Sequence, residues 1–227
     1  TLFEAERQFT SDASHELRTP TSVILAECDH AKRKDRTAEE YLESIEHIEA
    51  QGKRMSALIE ELLGITRLQQ GTEKYPLRKG DFSEFVSLTA EGFVPQDDRG
   101  IRLETDIEDG ITCSFNASLI SRAIYNLLQN AYKYGSENGF IKLSLKKDGV
   151  MAVLNVKDNG IGIAPEDQDK IWQRFWQADP SRGENGSSGL GLAMVKEIAE
   201  FHGGSVSVAS APEKGSTFSL LIPLASS

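Results

Sequence analysis

The sequence has little cysteine and no long apolar run. Its two cysteines among 227 residues, Cys28 and Cys113, are far apart and do not form a Cys-x-x-Cys pair. This argues against a disulfide framework or a cysteine zinc site and favours a reducing compartment. No segment approaches the roughly 18 consecutive apolar residues of a membrane span, and no signal-peptide pattern opens the chain. We therefore expect the chain to be cytoplasmic and to make no direct membrane contact. A helical pattern is already present at Thr1, so we also expect the chain to be a fragment.

Basic residues are also scarce. The chain has 25 lysines and arginines against 35 acidic residues, which gives a formal net charge of -10. A nucleic-acid-binding surface needs a basic face, so nucleic acid is not expected as a partner. The hydrophobic and charged fractions of 39% and 26% are those of a globular protein, and the length fits one large domain or two small ones.

Glycine and proline are almost absent from residues 1–70, and this part is predicted to be a helical hairpin. Apolar residues recur at coiled-coil-like steps, and Thr37 with Glu40 is a capping-box signature for the second helix. Two helices alone bury only a narrow seam, so we expect two copies to form a four-helix bundle, which makes the protein a homodimer. The seam positions are Phe9, Ala13, Leu17 and Ile24 in the first helix, and Ile45, Ile48, Gly52, Met55, Ile59 and Leu62 in the second.

Residues 71–80, which contain Pro76 and two glycines, are predicted to be a linker. In residues 81–227 the pattern of predicted secondary structure changes. There, helical patterns mix with short alternating strands, which favours an α+β sandwich over a doubly wound parallel sheet. The predicted helices are 82–92, 117–134 and 190–202, and the predicted strands are 101–107, 111–115, 140–147, 150–157, 205–210 and 217–223. The glycine-rich residues 178–191 are predicted to form a loop.

His15 is a candidate nucleophile on the first helix. Glu16 is its neighbour, Thr19 lies one turn further on, and Pro20 is expected to bend the helix. A carboxylate could accept the proton of one ring nitrogen and leave the other free to attack. His15 could equally be an ordinary surface histidine of a bundle. The other histidines, His30, His47 and His202, lack such neighbours and are expected at the surface.

The predicted helix 117–134 has a polar face opposite an apolar one. Asn126, Asn130, Lys133 and Tyr134 lie within about 100° of arc on the helix wheel. Amide oxygens suit a hard cation such as Mg²⁺, and an ammonium group suits phosphate oxygens. A simple solvated face is the alternative interpretation.

Two glycine-rich segments are candidate ligand loops. The run from Asp158 to Ile163 follows a strand, and Asp158 could accept a hydrogen bond from an exocyclic amine such as that of adenine. The run 186–192 leads into a helix, whose N-terminal N–H groups attract phosphate. It lacks the lysine of a P-loop and the third glycine of a dinucleotide fingerprint. Each segment alone could be an ordinary turn.

Taken in order, these elements resemble the two-component sensor histidine kinases over essentially the whole chain. The segment Phe9–Pro20 resembles the H box of that family, and Asn126–Tyr134 resembles its N box. Asp158–Gly162 is similar to the G1 box, and Gly189–Leu192 to the G2 box. The F box is represented by Gln173–Trp176 with Asp179, Ser181 and Arg182.

The resemblance implies a dimerisation and phosphotransfer hairpin followed by an ATP-binding sandwich of the gyrase–Hsp90–histidine kinase–MutL type. It implies that His15 receives the γ-phosphoryl group of ATP and that Glu16 is the general base. Thr19 would position water for dephosphorylating a partner.

The same resemblance implies the nucleotide site. Asn130 would ligate Mg²⁺ with support from Asn126, Lys133 and Tyr134 would reach the phosphates, and Asp158 would read the adenine amino group. Residues 178–191 would form the ATP lid. The other positions expected to line the site are Gly160, Gly162, Ile163, Phe175, Arg182, Gly189, Leu190, Gly191, Leu192 and Thr217. Two departures from the family pattern are Thr21, which affects packing, and Gln177, which stands where an arginine is frequent.

The resemblance therefore implies ATP-dependent autophosphorylation of His15 and transfer to an aspartate of a response-regulator receiver domain. Phosphatase activity toward that partner is a further expectation. The full-length protein would be anchored in the cell membrane. A nucleotide-switched dimeric scaffold without kinase activity is the competing hypothesis, and gyrase- or chaperone-like ATPases would share the pocket but lack the histidine hairpin.

Overall fold

Two long helices open the fold. The computed structural model describes residues 2–69, 75–95, 99–177 and 188–225. Helix α1 (Leu2–Lys32) continues through Pro20, and α2 (Ala38–Gln69) packs against it as the predicted hairpin. The capping box is confirmed, because the Glu40 N–H donates to Thr37 Oγ1 and the Thr37 N–H donates to Glu40 Oε2, at 3.2 and 2.9 Å.

The hairpin leaves a large apolar surface uncovered in the single chain. Leu25, Leu42 and Ile45 expose 61%, 57% and 58% of their surface, and Ile59 and Leu63 are also exposed. Apolar side chains on this scale mark an interaction surface. A second copy packed against the hairpin would cover them, and the homodimer stays a prediction.

The remaining elements form the expected α+β sandwich. A five-stranded sheet has the order β2 (Arg102–Ile107), β4 (Phe140–Asp148), β5 (Met151–Asp158), β7 (Ser216–Pro223), β6 (Ser205–Ser210). Within this sheet β2 and β4 are parallel, and the other neighbouring strands are antiparallel. Along β4, β5 and β7 every second residue is buried, so one face of the sheet is covered. The helices that cover it are α3 (Phe82–Glu91), α4 (Ala117–Tyr134) and α5 (Gly191–Phe201).

One strand was not expected. Residues 78–80 fall in the predicted linker, yet β1 (Arg78–Asp81) pairs antiparallel with β3 (Thr112–Phe115). The segment is short and polar and has no alternating pattern, so only its partner strand makes it extended. The preceding linker residues 71–74 lie outside the described residues, and the predicted domain boundaries stay predictions.

The end of α2 joins the core of the sandwich. Leu58, Ile65 and Leu68 are buried in the same apolar cluster as the inner side chains of α4 and α5. The hairpin is thus packed directly against the sandwich.

His202 was expected at the surface, and that expectation is wrong. It is only 6% exposed, its Nδ1–H donates to the Ile198 carbonyl at 2.7 Å, and its Nε2 accepts the Asn116 N–H at 3.0 Å. The ring therefore joins the end of α5 to the residue that caps α4. Burial lowers the pKa of His202, and the bond to Ile198 partly offsets this effect.

This histidine should make folding stability depend on pH. A basic group whose pKa is lower in the folded state contributes stability above its unfolded pKa of about 6.5, and this contribution is lost as pH falls through the folded pKa. Wild type should therefore lose about 1 kcal/mol more unfolding free energy between about pH 7.5 and 5.5 than His202→Gln does, as measured by urea titration. An equal slope in His202→Gln would contradict this role.

Candidate active site

Asp158 is buried at the end of β5. Its side chain is 3% exposed, and its Oδ1 accepts the N–H groups of Gly160 and Ser216 at 2.8 and 3.3 Å. Burial raises the pKa of Asp158, while backbone hydrogen bonds from Gly160, Ser216 and Asp158 itself oppose the rise. No other described residue donates to Oδ2, so that oxygen is the candidate acceptor for a ligand amino group.

The two glycines after Asp158 are required by close packing of backbone. A Cβ on Gly160 would lie 2.0 Å from the Tyr134 carbonyl oxygen. Gly162 has a φ of +69°, and a Cβ there would lie 1.9 Å from the Ala211 carbonyl oxygen. The turn is therefore pressed between the end of α4 and the β6–β7 connection. The Ile163 N–H donates to Ser210 Oγ at 2.8 Å and fixes the exit of the turn.

Thr217 lies near the end of β5. It is half-buried in β7, it pairs with Lys157 of β5, and it follows Ser216, whose N–H binds Asp158. Its role at the nucleotide site stays a prediction.

The C-terminal end of α4 lies against the turn that follows β5. Asn116 caps the helix through the Leu119 N–H, and Asn126 donates to the Gly191 carbonyl at 3.1 Å, which fixes the start of α5. Asn130 is half-buried and has no recorded partner among the described residues, so its amide oxygen is open to a cation. The Lys133 ammonium lies 5.3 Å from the centroid of the exposed Tyr134 ring.

The start of α5 is tied to the F-box segment. Gly189 has a φ of +69°, and its carbonyl accepts the Phe175 N–H at 3.0 Å. Leu190 is fully buried and Leu192 half-buried. Asp179, Ser181 and Arg182 lie outside the described residues.

His15 faces the F-box segment across a small cleft. A cleft of about 260 Å³ is lined by Asp12, His15, Glu16, Gln173, Arg174, Phe175 and Trp176. The Phe175 and Phe9 ring centroids are 6.0 Å apart, and the Arg174 guanidinium lies 5.0 Å from the Phe9 ring. Phe175 was expected at the nucleotide site, and its recorded contacts are instead with Phe9 and Gly189.

His15 and Glu16 have no recorded hydrogen bond between them. Consecutive helix residues point about 100° apart, so a carboxylate at the next position does not face the ring within one helix. The orientation of His15 by Glu16 suggested by the sequence is therefore not realised in this arrangement. Thr19 is exposed one turn further along.

A hydrogen bond connects the hairpin to the C-terminal end of the predicted lid. The Ser188 hydroxyl donates to Glu61 Oε2 at 2.5 Å, and Ser188 Oγ accepts the Leu190 N–H at 3.2 Å. Ser188 belongs to the glycine-rich run that the sequence singled out, but Glu61 was not predicted to be functional and carries no motif.

Comparison with known proteins agrees with this geometry. Residues 5–71 match the family model of the His Kinase A (phospho-acceptor) domain. Residues 116–226 match that of the histidine kinase-, DNA gyrase B- and HSP90-like ATPases. Sensor histidine kinase RppB of Synechocystis sp. is 35% identical over 98% of this chain and 50% of its own length.

The chain belongs to the two-component sensor histidine kinases. The predicted resemblance is confirmed, and the chain carries the catalytic core of that family. Sensor-like histidine kinase SenX3 of Mycobacterium tuberculosis is 35% identical over 96% of this chain and 54% of its own length. A full-length ShkA structure in complex with AMPPNP is 25% identical, with a TM-score of 0.71, over 98% of this chain and 46% of that chain.

The kinase core spans about half the length of the curated relatives it matches. Its ATPase-type domain implies ATP binding. Among the described residues, no helix is long and apolar enough to cross a membrane. Nor do those residues contain a group of three histidine, cysteine or acidic side chains placed to hold a metal.

The close packing of Gly160 should be essential for nucleotide binding. Gly160→Ala places a methyl group against the Tyr134 backbone, and no rotamer change can relieve this clash. ATP affinity, measured by titration calorimetry, should therefore fall at least tenfold. Gly149→Ala is the control, since Gly149 has a φ of +56° and nothing within 4 Å. It should lower the melting temperature slightly and bind ATP normally. Wild-type affinity in Gly160→Ala would contradict this role of the glycine.

Proposed function

We propose that this protein transfers the γ-phosphoryl group of ATP to His15 and passes it to an aspartate of a response-regulator receiver domain. The observation that carries the proposal is the pairing of two features in one chain. A buried carboxylate lies in the part of the chain that matches the ATPase family model, and an exposed histidine on the hairpin shares a cleft with the segment leading to the predicted lid.

The nucleotide-binding roles follow from the chemistry of each side chain. Asp158 would accept the adenine amino group through Oδ2, and Gly160 and Gly162 would shape the backbone around the base. Asn130 would hold Mg²⁺, which supplies charge neutralisation on the phosphate oxygens. Lys133 would add a cation beside them, and Asn126 would hold Gly191 and the start of α5 in place.

The transfer step needs positioning more than covalent chemistry from the protein. A ring nitrogen of His15 forms the N–P bond while the bond from the γ-phosphorus to the bridging oxygen breaks and ADP leaves. Glu16 is proposed to take the proton from the other ring nitrogen. Because consecutive helix residues diverge, this requires the His15 ring to turn toward Glu16 when the sandwich moves.

The phosphoramidate product is reactive and suits onward transfer to a carboxylate. The partner surface is proposed to be the exposed hairpin face around His15, and the uncovered apolar residues of the hairpin support a homodimer. Thr19 is exposed one turn from His15, so its hydroxyl is proposed to position water for dephosphorylating the receiver domain. The longer relatives support a membrane-anchored sensor whose catalytic core lies in the cytoplasm.

Autophosphorylation should depend on His15 alone among the hairpin histidines. Incubation with γ-labelled ATP and Mg²⁺ should give acid-labile, alkali-stable label in wild type and none in His15→Gln. His47→Gln is the matched control, because His47 lies on the same hairpin and pairs with Glu27. Tight nucleotide binding without label in wild type would favour the scaffold hypothesis instead.

The Asn130 amide should set the magnesium dependence of nucleotide binding. In the presence of Mg²⁺, Asn130→Ala should lower ATP affinity about tenfold or more, because an interaction with a charged group contributes a free energy of that size. The variant should bind ATP equally well with and without Mg²⁺. Gln129→Ala changes an exposed amide on the same helix and should behave as wild type. Retained magnesium dependence in Asn130→Ala would exclude this role.

A further inference from the structure

The hairpin holds the sandwich at a second place, away from His15. Glu61 of α2 accepts the Ser188 hydroxyl proton, and Ser188 Oγ in turn accepts the Leu190 N–H. Leu190 immediately precedes α5. Two consecutive hydrogen bonds therefore run from the hairpin to the C-terminal end of the predicted ATP lid.

Gly64 gives this contact its shape. It lies three residues after Glu61, on the same side of α2. A Cβ at Gly64 would lie 2.6 Å from Arg122 Nη1 and 3.0 Å from Met194 Cε. Glycine is unfavourable inside a helix, and here it leaves room for Arg122 of α4 to lie across α2.

The charges at this contact are complementary. Burial raises the pKa of Glu61, while the Ser188 hydrogen bond and the Arg122 charge oppose the rise. A partly buried carboxylate needs both kinds of partner to remain charged. The contact is thus a polar site between hairpin and sandwich, with Glu61 on one side and Ser188 and Arg122 on the other.

In this arrangement His15 is turned toward the F-box segment. The described residues that line its cleft do not include Asn130, Lys133 or Asp158. Transfer requires the γ-phosphorus within roughly 3–3.5 Å of the ring nitrogen. For the nucleotide-site residues to surround that phosphorus, the sandwich would have to shift relative to the hairpin. The Glu61–Ser188 hydrogen bond joins these two parts, so such a shift would break it.

We propose that the Glu61–Ser188 hydrogen bond, seated by Arg122 over Gly64, is a latch that holds the kinase core in a resting arrangement and opens before His15 is phosphorylated. This rests on the proposed function. Glu61 is a positioning residue, because it acts through Ser188 on the lid and not on the nucleotide itself.

Opening the latch should speed phosphorylation. A hydrogen bond to a charged group shifts a two-state equilibrium by about tenfold, so its loss raises the fraction of open molecules by up to that factor. Ser188→Ala and Glu61→Met, which has no oxygen to accept the hydroxyl proton, should each raise the initial rate of labelling from γ-labelled ATP several-fold, with ATP affinity close to that of wild type. Glu60→Met, on the exposed neighbouring position of α2, should leave the rate unchanged.

Two further readouts separate a latch from a general structural effect. In the double variant the rate increases should not multiply, since either change alone removes the same bond. Hydrogen–deuterium exchange should be faster in both single variants for the peptides covering 58–68 and 188–195, and unchanged for β4 and β5.

The outcomes decide the proposal. Slower or unchanged labelling in both single variants, or multiplying effects in the double variant, would overturn it. If wild type takes no label, the proposed function fails, and the exchange measurement still tests the contact by itself. Exchange equal to that of wild type in both variants would then overturn the latch.

Discussion

The buried hydrogen bonds of Asp158 set the layout of the sandwich. One carboxylate oxygen holds the backbone of Gly160 and Ser216, which brings together the end of β5, the turn after it and the start of β7. Gly215 completes the arrangement, because it has a φ of +77° and a Cβ there would lie 2.1 Å from the Asp158 carbonyl oxygen. Backbone groups therefore fill this space, and they fix the position of the Asp158 carboxylate.

Besides the apolar packing of the end of α2, two contacts between hairpin and sandwich bear on the proposed catalysis. One is aromatic and joins Phe9 of α1 to Phe175. The other is polar and joins Glu61 of α2 to Ser188. Phe175 precedes the predicted lid and Ser188 lies near its end, so the position of the sandwich on the hairpin and the ends of the lid are physically linked. On the proposed mechanism, phosphoryl transfer would depend on relative movement of the hairpin and the sandwich.

The sequence predicted those features that arise from local pattern or from a chain of motifs. Thr37 and Glu40 are three residues apart and form a cap whatever their surroundings, and Asp158 with its glycines is a contiguous turn. Alternation and helical periodicity predicted the first and last residues of the helices and strands of the sandwich to within one or two residues. The family assignment followed because several such motifs occur in one order.

What the sequence did not reveal depends on contacts between distant residues. Strand β1 is extended only because β3 lies beside it. His202 is buried because α5 ends against the cap of α4, 86 residues earlier in the chain. Glu61 and Ser188 are 127 residues apart, and no sequence pattern connects the helix of the one with the glycine-rich run of the other.

The decisive measurement is which histidine receives the phosphoryl group. Peptides can be analysed by mass spectrometry after incubation with ATP and Mg²⁺, under alkaline conditions that preserve phosphohistidine. We predict phosphorylation of the peptide containing His15 and of no peptide containing His30, His47 or His202. Phosphate on another histidine, or only on serine or threonine, would contradict it.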